Sequence, residues 1–259
     1  DIGTNGEMAL WSGGRVLCCS TAAGPAFEGA EISRGMGALS GAVNKITAGP
    51  RPVPGVSGTD AATPGVSGTD AAAPGVWKSG AGTDLFFTTI DNAPPRGICG
   101  CGLIDAVAAM LKTGAIDETG ALVDEFAGGW PLWVSASGNI SLSGRDVRQY
   151  QLAKSAIRSG IQLLCAAAGR TPAELDAVYI AGGLGFFIDL ENAIATGILP
   201  EEFRGKTAVC GNLSLRGAVL SLTRGGFAET CRRITAKCET MELASDSGFM
   251  EAFAENMLF

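Results

Sequence analysis

The sequence contains no histidine among its 259 residues. This absence excludes Ser–His and Cys–His nucleophile pairs, histidine general bases and most catalytic zinc sites. Any chemistry performed by this chain would therefore depend on carboxylates, backbone amides or a bound metal ion.

Charge and long apolar runs are scarce as well. Charged residues make up 17% of the chain, the formal net charge is −7, and lysine and arginine are scattered. These features argue against a nucleic-acid partner. The sequence has no apolar run of about 18 residues, so no membrane span is expected. Hydrophobic residues make up 46% of the chain, which is sufficient for a core of ordinary size.

The eight cysteines are used mainly as apolar residues. They are Cys18, Cys19, Cys99, Cys101, Cys165, Cys210, Cys231 and Cys238. Most lie in apolar segments, as small hydrophobic side chains do, which is typical of a protein from the reducing cytoplasm. Cys99 and Cys101 in ICGCG are the exception, because this spacing could serve metal binding or redox chemistry. No second pair with ligand spacing follows them.

The first half of the chain predicts a hairpin and an amphipathic helix. Two short apolar runs at 7–20 flank a glycine pair, and a short helix begins at Pro25. A longer helix is expected from about Gly102 to Gly114. Between these elements PGVSGTDAAT at 54–63 is repeated almost unchanged at 64–73. Two short polar copies cannot form a solenoid, so a flexible surface insertion at about 50–80 is expected.

The second half predicts strands that alternate with helices. Ser143 and Asp146 form a capping-box pattern at the start of a long helix that ends at Gly169. After it the chain passes through AVYIAGG, DLENAIATG, KTAVCGN and LSLRGAVLSLTRG. We interpret these as strand, helix, strand and helix, an order typical of an α/β sheet.

Two glycine-rich loops are candidates for holding a phosphate or a nucleotide. In DIGTNGE, Gly3 and Gly6 would expose backbone N–H groups in a sharp turn, and Asp1 could hold Mg²⁺ through water. In YIAGGLGFF, a flat ligand could lie against the backbone of Gly182, Gly183 and Gly185. Neither GxGxxG nor GxxxxGK[ST] is present, so Rossmann and P-loop sites are disfavoured.

Taken together, the motifs resemble those of a known family. A DIGTNGE hairpin followed by an α/β half with AGGLG resembles the acetate and sugar kinase/Hsp70/actin superfamily. The closer resemblance is to the C-terminal domain of reductive activators of corrinoid proteins. It is carried by STAAGPAFEGAEI, RGICGCGLIDAV, RDVRQYQLAKSAIRSGIQLL, VYIAGGLGFFIDLENAIATGILP and FMEAFAENMLF. The implied fold is a ribonuclease H-like, actin-like ATPase fold with a mixed sheet flanked by helices.

The resemblance also implies a site, cofactors and a partner. The nucleotide would be ATP with Mg²⁺, and the partner a corrinoid protein whose cobalt is reduced from Co(II) to Co(I). The implied phosphate or metal contacts are Asp1, Gly3, Thr4, Asn5 and Gly6, and the implied adenosine contacts are Gly182, Gly183 and Leu184. Glu28 would reach the ribose or else serve as a helix carboxylate.

The resemblance further predicts that residues 1–259 form the second lobe of a two-lobed ATPase module. The first lobe and a [2Fe–2S] domain would belong to a longer parent protein, and no C-x₄-C-x₂-C cluster occurs here. Two alternatives stay open, a small-molecule kinase of the same superfamily and a non-catalytic lobe that docks a partner. Self-association into a homodimer is also left open.

Three polar residues near the later helices are predicted to be structural. Glu191 and Asn192 are expected to stabilise the start of their helix rather than bind a ligand, and Asn212 to cap the next one.

Overall fold

The computed structural model describes residues 1–49, 76–78, 84–135, 138–184 and 187–259. Most of the insertion predicted at about 50–80, and Gly185 of the second glycine loop, lie outside these residues.

The described elements alternate between strands and helices along most of the chain. The strands are β1 Gly6–Ser12, β2 Arg15–Thr21, β3 Ala42–Gly49, β4 Val76–Lys78, β5 Asp84–Thr89, β6 Gly97–Ile98, β7 Trp130–Ser135, β8 Gly138–Leu142, β9 Val178–Ala181, β10 Thr207–Gly211 and β11 Cys238–Thr240. The helices are α1 Gly100–Thr113, α2 Gly144–Ala167, α3 Leu190–Ala195, α4 Leu213–Thr223, α5 Phe227–Thr235 and α6 Ser247–Glu255.

The strands form separate sheets with mixed directions. The order β1-β2-β11 combines an antiparallel hairpin with a parallel third strand, and β9 pairs in parallel with β10. The order β4-β5-β3-β6 makes a further mixed sheet, and β7 pairs with β8. The predicted alternation of strand and helix after α2 is therefore present as β9, α3, β10 and α4.

The predicted hairpin is present, and its turn explains the glycine pair. Gly13 and Gly14 have φ values of 58° and 82°, which side-chain-bearing residues rarely adopt. Along β1 the half-buried residues Met8 and Leu10 alternate with exposed ones, and their side chains pack near α2. The hairpin thus has one apolar face, as its sequence predicts.

Helix α1 begins at Gly100, two residues before the predicted start. The predicted end is confirmed, since Gly114 has a left-handed φ of 70°. The two glycines near the start are required by packing. A Cβ at Gly100 would lie 2.2 Å from the Phe27 carbonyl oxygen, and one at Gly102 would lie 2.2 Å from the Val43 carbonyl oxygen. The sequence therefore contains glycine where α1 approaches neighbouring backbone closely.

The capping box of α2 is confirmed, and it has a second function. The Asp146 carboxylate accepts hydrogen bonds from the Ser143 backbone N–H and hydroxyl, each at 2.7 Å. Its other oxygen accepts from the Ser33 N–H at 2.7 Å. Asp146 is fully buried, so it both starts α2 and attaches the segment before β3 to it.

The main core lies where α1 and α2 pack against the sheets. Its fully buried side chains include Ile104, Met110, Trp130, Leu132 and Tyr150. In the described ranges we find no helix with both the length and the apolar character needed to cross a bilayer.

Candidate nucleotide site

The first glycine loop is a tight hairpin with its tip at residues 3–5. The Asp1 carbonyl oxygen accepts a hydrogen bond from the Glu7 N–H at 3.1 Å, and Ile2 forms an antiparallel bridge with Gly6. Across the tip, the Gly3 N–H donates to the Asn5 carbonyl oxygen at 2.9 Å. The N–H of Gly3 is thus used inside the loop, contrary to the expectation that it is exposed.

Glu28 and Gly24 hold the loop tip at Thr4. The Glu28 carboxylate accepts from the Thr4 N–H at 3.1 Å and from the Thr4 hydroxyl at 2.7 Å. The Gly24 N–H donates to the Thr4 carbonyl oxygen at 2.8 Å. The structure therefore places Glu28 beside the first loop, where it orients Thr4.

The second glycine loop lies directly against the first. Gly182 has a φ of 97°, and a Cβ built on it would lie 2.3 Å from the Asp1 carboxylate oxygen Oδ1. The Ile2 N–H donates to the Ala181 carbonyl oxygen at 3.3 Å, which joins the start of the first loop to the end of β9. Asp1 and Gly182, which are 181 positions apart in the sequence, thus lie together, and the two loops form one candidate site.

The glycines of the two loops are required for different reasons, either backbone conformation or close packing. Among the four in the described ranges, Gly182 alone has a positive φ. Gly6 is buried, and a Cβ there would lie 2.8 Å from the Thr21 hydroxyl, so packing of the hairpin excludes a side chain. Gly183 is exposed, with open space around a Cβ.

The chemistry of the two loops suits an anion accompanied by a hydrated cation. The described part of the chain offers no hydrogen-bond acceptor to the N–H groups of Asn5 and Gly183, which lie in the two loops. Amide donors of this kind suit a phosphate. No group of three or more acidic or cysteine side chains forms a metal cage in the described ranges. Asp1 supplies one carboxylate, which fits Mg²⁺ held through its own water shell.

Leu184 connects the second loop to the two cysteines of ICGCG. Its side chain packs against Cys99 and Cys101, and its carbonyl oxygen accepts a hydrogen bond from the Cys101 thiol at 3.6 Å. Burial, followed by the nearby Cys99 and Asp105, raises the pKa of the Cys101 thiol to about 12. This thiol is therefore protonated at neutral pH and acts as a packing group.

The other cysteines divide between core and surface. Cys19 and Cys165 are buried, as their apolar segments predict, whereas Cys18, Cys210 and Cys231 are half-buried and Cys238 is exposed. The prediction that the cysteines act as small hydrophobic residues is thus confirmed for the buried ones and not for Cys238.

A charged network that sequence reasoning missed lies near the second loop. The Lys45 ammonium group binds the Asp189 carboxylate and lies 3.7 Å from the carboxylate of Asp105. Asp105 is buried within α1 and accepts hydrogen bonds from the Asn192 side chain at 2.6 Å and from the Ile46 N–H at 3.0 Å. The available sequence signal was a lone charge in each of two apolar segments, AVNKITAG and GLIDAVAAM.

The pKa values in this network follow from burial and from the ion pair. Burial raises the pKa of Asp105 above its usual range, although hydrogen bonds from Asn192 and Ile46 oppose the shift. Burial also disfavours the charge on Lys45, but its hydrogen bond to Asp189 and the charge of Asp105 outweigh that effect and raise the pKa of Lys45. The network therefore keeps a lysine charged next to the loop that precedes α3.

The predicted function of Asn192 at the start of α3 needs correction, whereas Glu191 lies in the first turn of this helix, as predicted. Asp189 caps this helix by accepting from the Asn192 N–H at 3.1 Å. The Asn192 side chain points instead to Asp105, and Glu191 forms an exposed ion pair with Arg204. The prediction for Asn212 is confirmed, since its side chain accepts from the Leu215 N–H at 2.8 Å.

Comparisons with known proteins agree with this fold. All of residues 1–259 match a family described as the C-terminal domain of RACo, the ASKHA domain. A curated relative, the corrinoid activation enzyme RamQ of Eubacterium limosum, is 30% identical over the whole of this chain and 42% of its own length. A second, the [Co(II) methylated amine-specific corrinoid protein] reductase of Methanosarcina barkeri, is 31% identical over 91% of this chain and 41% of its own length.

A solved structure supports the same assignment. A reductive activator for a corrinoid, iron-sulfur protein superposes with a TM-score of 0.79 at 29% identity, covering all of this chain and 38% of the other. The chain thus spans about two fifths of the length of these relatives. Because the family match covers every residue, the chain belongs to the family of C-terminal ASKHA domains, of actin-like ATPase fold, found in reductive activators of corrinoid proteins.

Proposed function

We propose that this domain supplies part of the ATP site of an enzyme that reduces the cobalt of a corrinoid protein from Co(II) to Co(I). The single observation that supports the proposal best is the contact between Asp1 and Gly182, which joins the two glycine loops into one site. The names of the relatives, a corrinoid activation enzyme and a Co(II) corrinoid protein reductase, supply the reaction.

Within this site the loops divide the nucleotide between them. The N–H groups of Asn5 and Gly183 would donate to phosphate oxygens, and Asp1 would hold hydrated Mg²⁺ beside them. The backbone of Gly182 and Gly183 and the side chain of Leu184 would line the adenosine. The Glu28 carboxylate holds Thr4 in place. It would also accept a hydrogen bond from a ribose hydroxyl.

Reduction of the partner's cobalt needs one electron for each Co(II), and the proposal assigns the electron to a [2Fe–2S] centre elsewhere in the parent protein. This domain would contribute the free energy of nucleotide binding. A nucleotide that binds one conformation of the enzyme more tightly than another shifts the population toward the first. The corrinoid protein would be reduced in the conformation that ATP favours.

The proposal is tested with the complete parent protein, kept anaerobic with a low-potential reductant and a Co(II) corrinoid protein. We expect ATP-dependent formation of Co(I), which is measured by the absorption spectrum of the cobalt. Gly183→Asp should weaken ATP binding at least about tenfold, because it places a carboxylate next to the phosphates. Gly128→Asp is the matched control, since Gly128 is also exposed, has open space around a Cβ and lies outside the site.

Two results would contradict the proposal. One is ATP turnover without any change in cobalt across several corrinoid proteins, which would favour a kinase or another ATP-driven switch. The other is equal ATP affinity in the two aspartate variants, which would place the nucleotide elsewhere.

A further inference from the structure

A small pocket lies between α2 and the last residues of the chain. Its volume is about 230 Å³, and its lining comes from α2, from the end of α3 with the segment that follows, and from residues 256–259. We call this space the α2 pocket. The residues that line it lie outside the two glycine loops, so it is separate from the candidate nucleotide site.

Two cationic side chains of α2, Lys154 and Arg158, line the α2 pocket. They are four positions apart and therefore lie on the same face of the helix. Lys154 is only 2% exposed, and Arg158 is half-buried. Like charges at this spacing repel each other, and burial strengthens the repulsion. The pocket thus concentrates positive charge within a chain whose formal net charge is −7.

The two cations have few partners within the fold. Among the residues that the structure describes, neither Lys154 nor Arg158 forms an ion pair. The Lys154 ammonium group binds the Leu258 carbonyl oxygen, which uses one of its three N–H donors. Burial lowers the pKa of Arg158, and the more distant charge of Glu202 opposes this shift. Both side chains have therefore lost hydration without gaining a paired counter-charge.

Much of the remaining lining is apolar. Ile194, Leu199 and Phe259 supply apolar side chains. The Phe259 ring is held in place, since it stacks on the buried Tyr150 ring with the two ring centres 6.1 Å apart. The centre of the Phe259 ring also lies 4.8 Å from the Lys154 ammonium nitrogen. A ligand in the α2 pocket would therefore meet an apolar surface and a cation side by side.

We propose that the α2 pocket is a binding site for a small organic carboxylate. The carboxylate group would lie at Lys154 and Arg158, and the apolar part of the acid would pack against Ile194, Leu199 and Phe259. A guanidinium group suits this ligand, because it can donate two parallel hydrogen bonds to one carboxylate. The proposal does not depend on the nucleotide or on cobalt.

The charge and the size of the α2 pocket define the class of acid. Two cations and the carboxylate of Glu201 line the pocket, which leaves one positive charge and favours a monoanion. Since a water molecule takes up about 30 Å³ in the liquid, the pocket has room for an acid of roughly four to seven carbon atoms. Inorganic phosphate fits less well, because it has no apolar part and its second charge is not balanced.

Titration calorimetry of the 259-residue chain with benzoate, in the absence of ATP, tests the proposal. Benzamide is the matched probe, since it has the same ring and nearly the same size but no charge. We expect one benzoate to bind per chain, at least about tenfold more tightly than benzamide and more tightly than inorganic phosphate. Benzoate should also raise the thermal midpoint of unfolding, as a ligand of the folded state does.

A pair of variants shows whether the ligand is bound at the α2 pocket. Arg158→Gln should weaken benzoate binding by about tenfold or more, because it removes a charged donor. Arg148→Gln is the matched control and should leave the affinity unchanged, since Arg148 lies on the same helix but is exposed and outside the pocket.

Four results would overturn the proposal. The first is equal affinity for benzoate and benzamide, a comparison that needs no variant. The second is an equal loss of affinity in the two glutamine variants, and the third is tighter binding of phosphate than of benzoate. The fourth is benzoate binding by the 259-residue chain but not by the complete parent protein, which would show that other polypeptide occupies the pocket.

Discussion

Gly182 and Gly183 are neighbours in the sequence, but the structure imposes different requirements on them. Gly182 has a left-handed φ and contacts Asp1, whereas a Cβ on Gly183 meets no described atom within 4 Å. The motif AGGLG predicted a ligand-binding turn, yet it could not show which glycine is needed for the backbone and which for access. That distinction depends on Asp1, which is distant in the sequence.

The first prediction compares alanine at these two positions. We expect Gly182→Ala to lower the free energy of unfolding by about 1–3 kcal/mol, because it strains the backbone and displaces Asp1. Gly183→Ala should change it by less than about 0.5 kcal/mol. Urea unfolding followed by circular dichroism measures both. Equal losses in the two variants would show that the loops do not contact each other in solution.

Lys154 gives a prediction about pH. It is buried in α2, its ammonium group binds the Leu258 carbonyl oxygen, and it lies 4.8 Å from the centre of the Phe259 ring. Burial, followed by repulsion from Arg158, lowers the pKa of Lys154 from 10.5 to about 8. Between these two values the unfolded chain binds more protons at this residue than the folded chain does, so stability should rise with pH there.

Comparison with Lys154→Met isolates this contribution from other titrating groups, including the cysteine thiols. The wild-type chain should gain stability relative to the variant by roughly 1 kcal/mol per pH unit across that interval. Below about pH 8 the difference in unfolding free energy between the two proteins should stay constant. Urea unfolding of both proteins over a pH series is the measurement. A difference that does not change with pH would show that Lys154 titrates normally in the folded state.

At the scale of elements, the local signals in the sequence were reliable and the non-local ones were missing. The capping box at Ser143 and Asp146 and the cap at Asn212 each lie within a few residues of the helix start that they predict. The link from α1 to α3 through Asp105 and Asn192 joins residues 87 positions apart. No pattern along the chain could pair them, since each one alone reads as an ordinary helix residue.

This contrast gives a prediction with a matched control. Asn192→Ala removes a donor from the buried Asp105 carboxylate, and we expect a loss of about 2–4 kcal/mol in the free energy of unfolding. Asn212→Ala removes an exposed N-cap and should lose about 1 kcal/mol. Both are asparagine-to-alanine changes at the start of a helix, so unfolding in urea compares them directly. An equal or smaller loss for Asn192→Ala would mean that Asp105 is satisfied by other groups.

For the whole molecule, fold class could be predicted because several long motifs occur in one order along the chain. The arrangement of the site could be predicted only in part. Pairing of the two glycine loops followed from the resemblance, but the attachment of Glu28 to Thr4 and the ion pair of Lys45 with Asp189 did not. Both depend on how distant segments pack in three dimensions.

The last prediction concerns what this domain does by itself. In the proposed site Asn5 and Gly183 are the donors that this chain offers to phosphates, and the resemblance predicts that the chain is one lobe of a two-lobed ATPase module. Catalysis of phosphate transfer depends on donors that surround the developing charge. One lobe alone should therefore bind ATP weakly and hydrolyse it at a negligible rate. The measurement is phosphate release by the 259-residue chain beside the complete parent protein at equal concentration. Comparable turnover by both would show that this domain contains the whole catalytic site, and the small-molecule kinase alternative would then need an acceptor site within these residues.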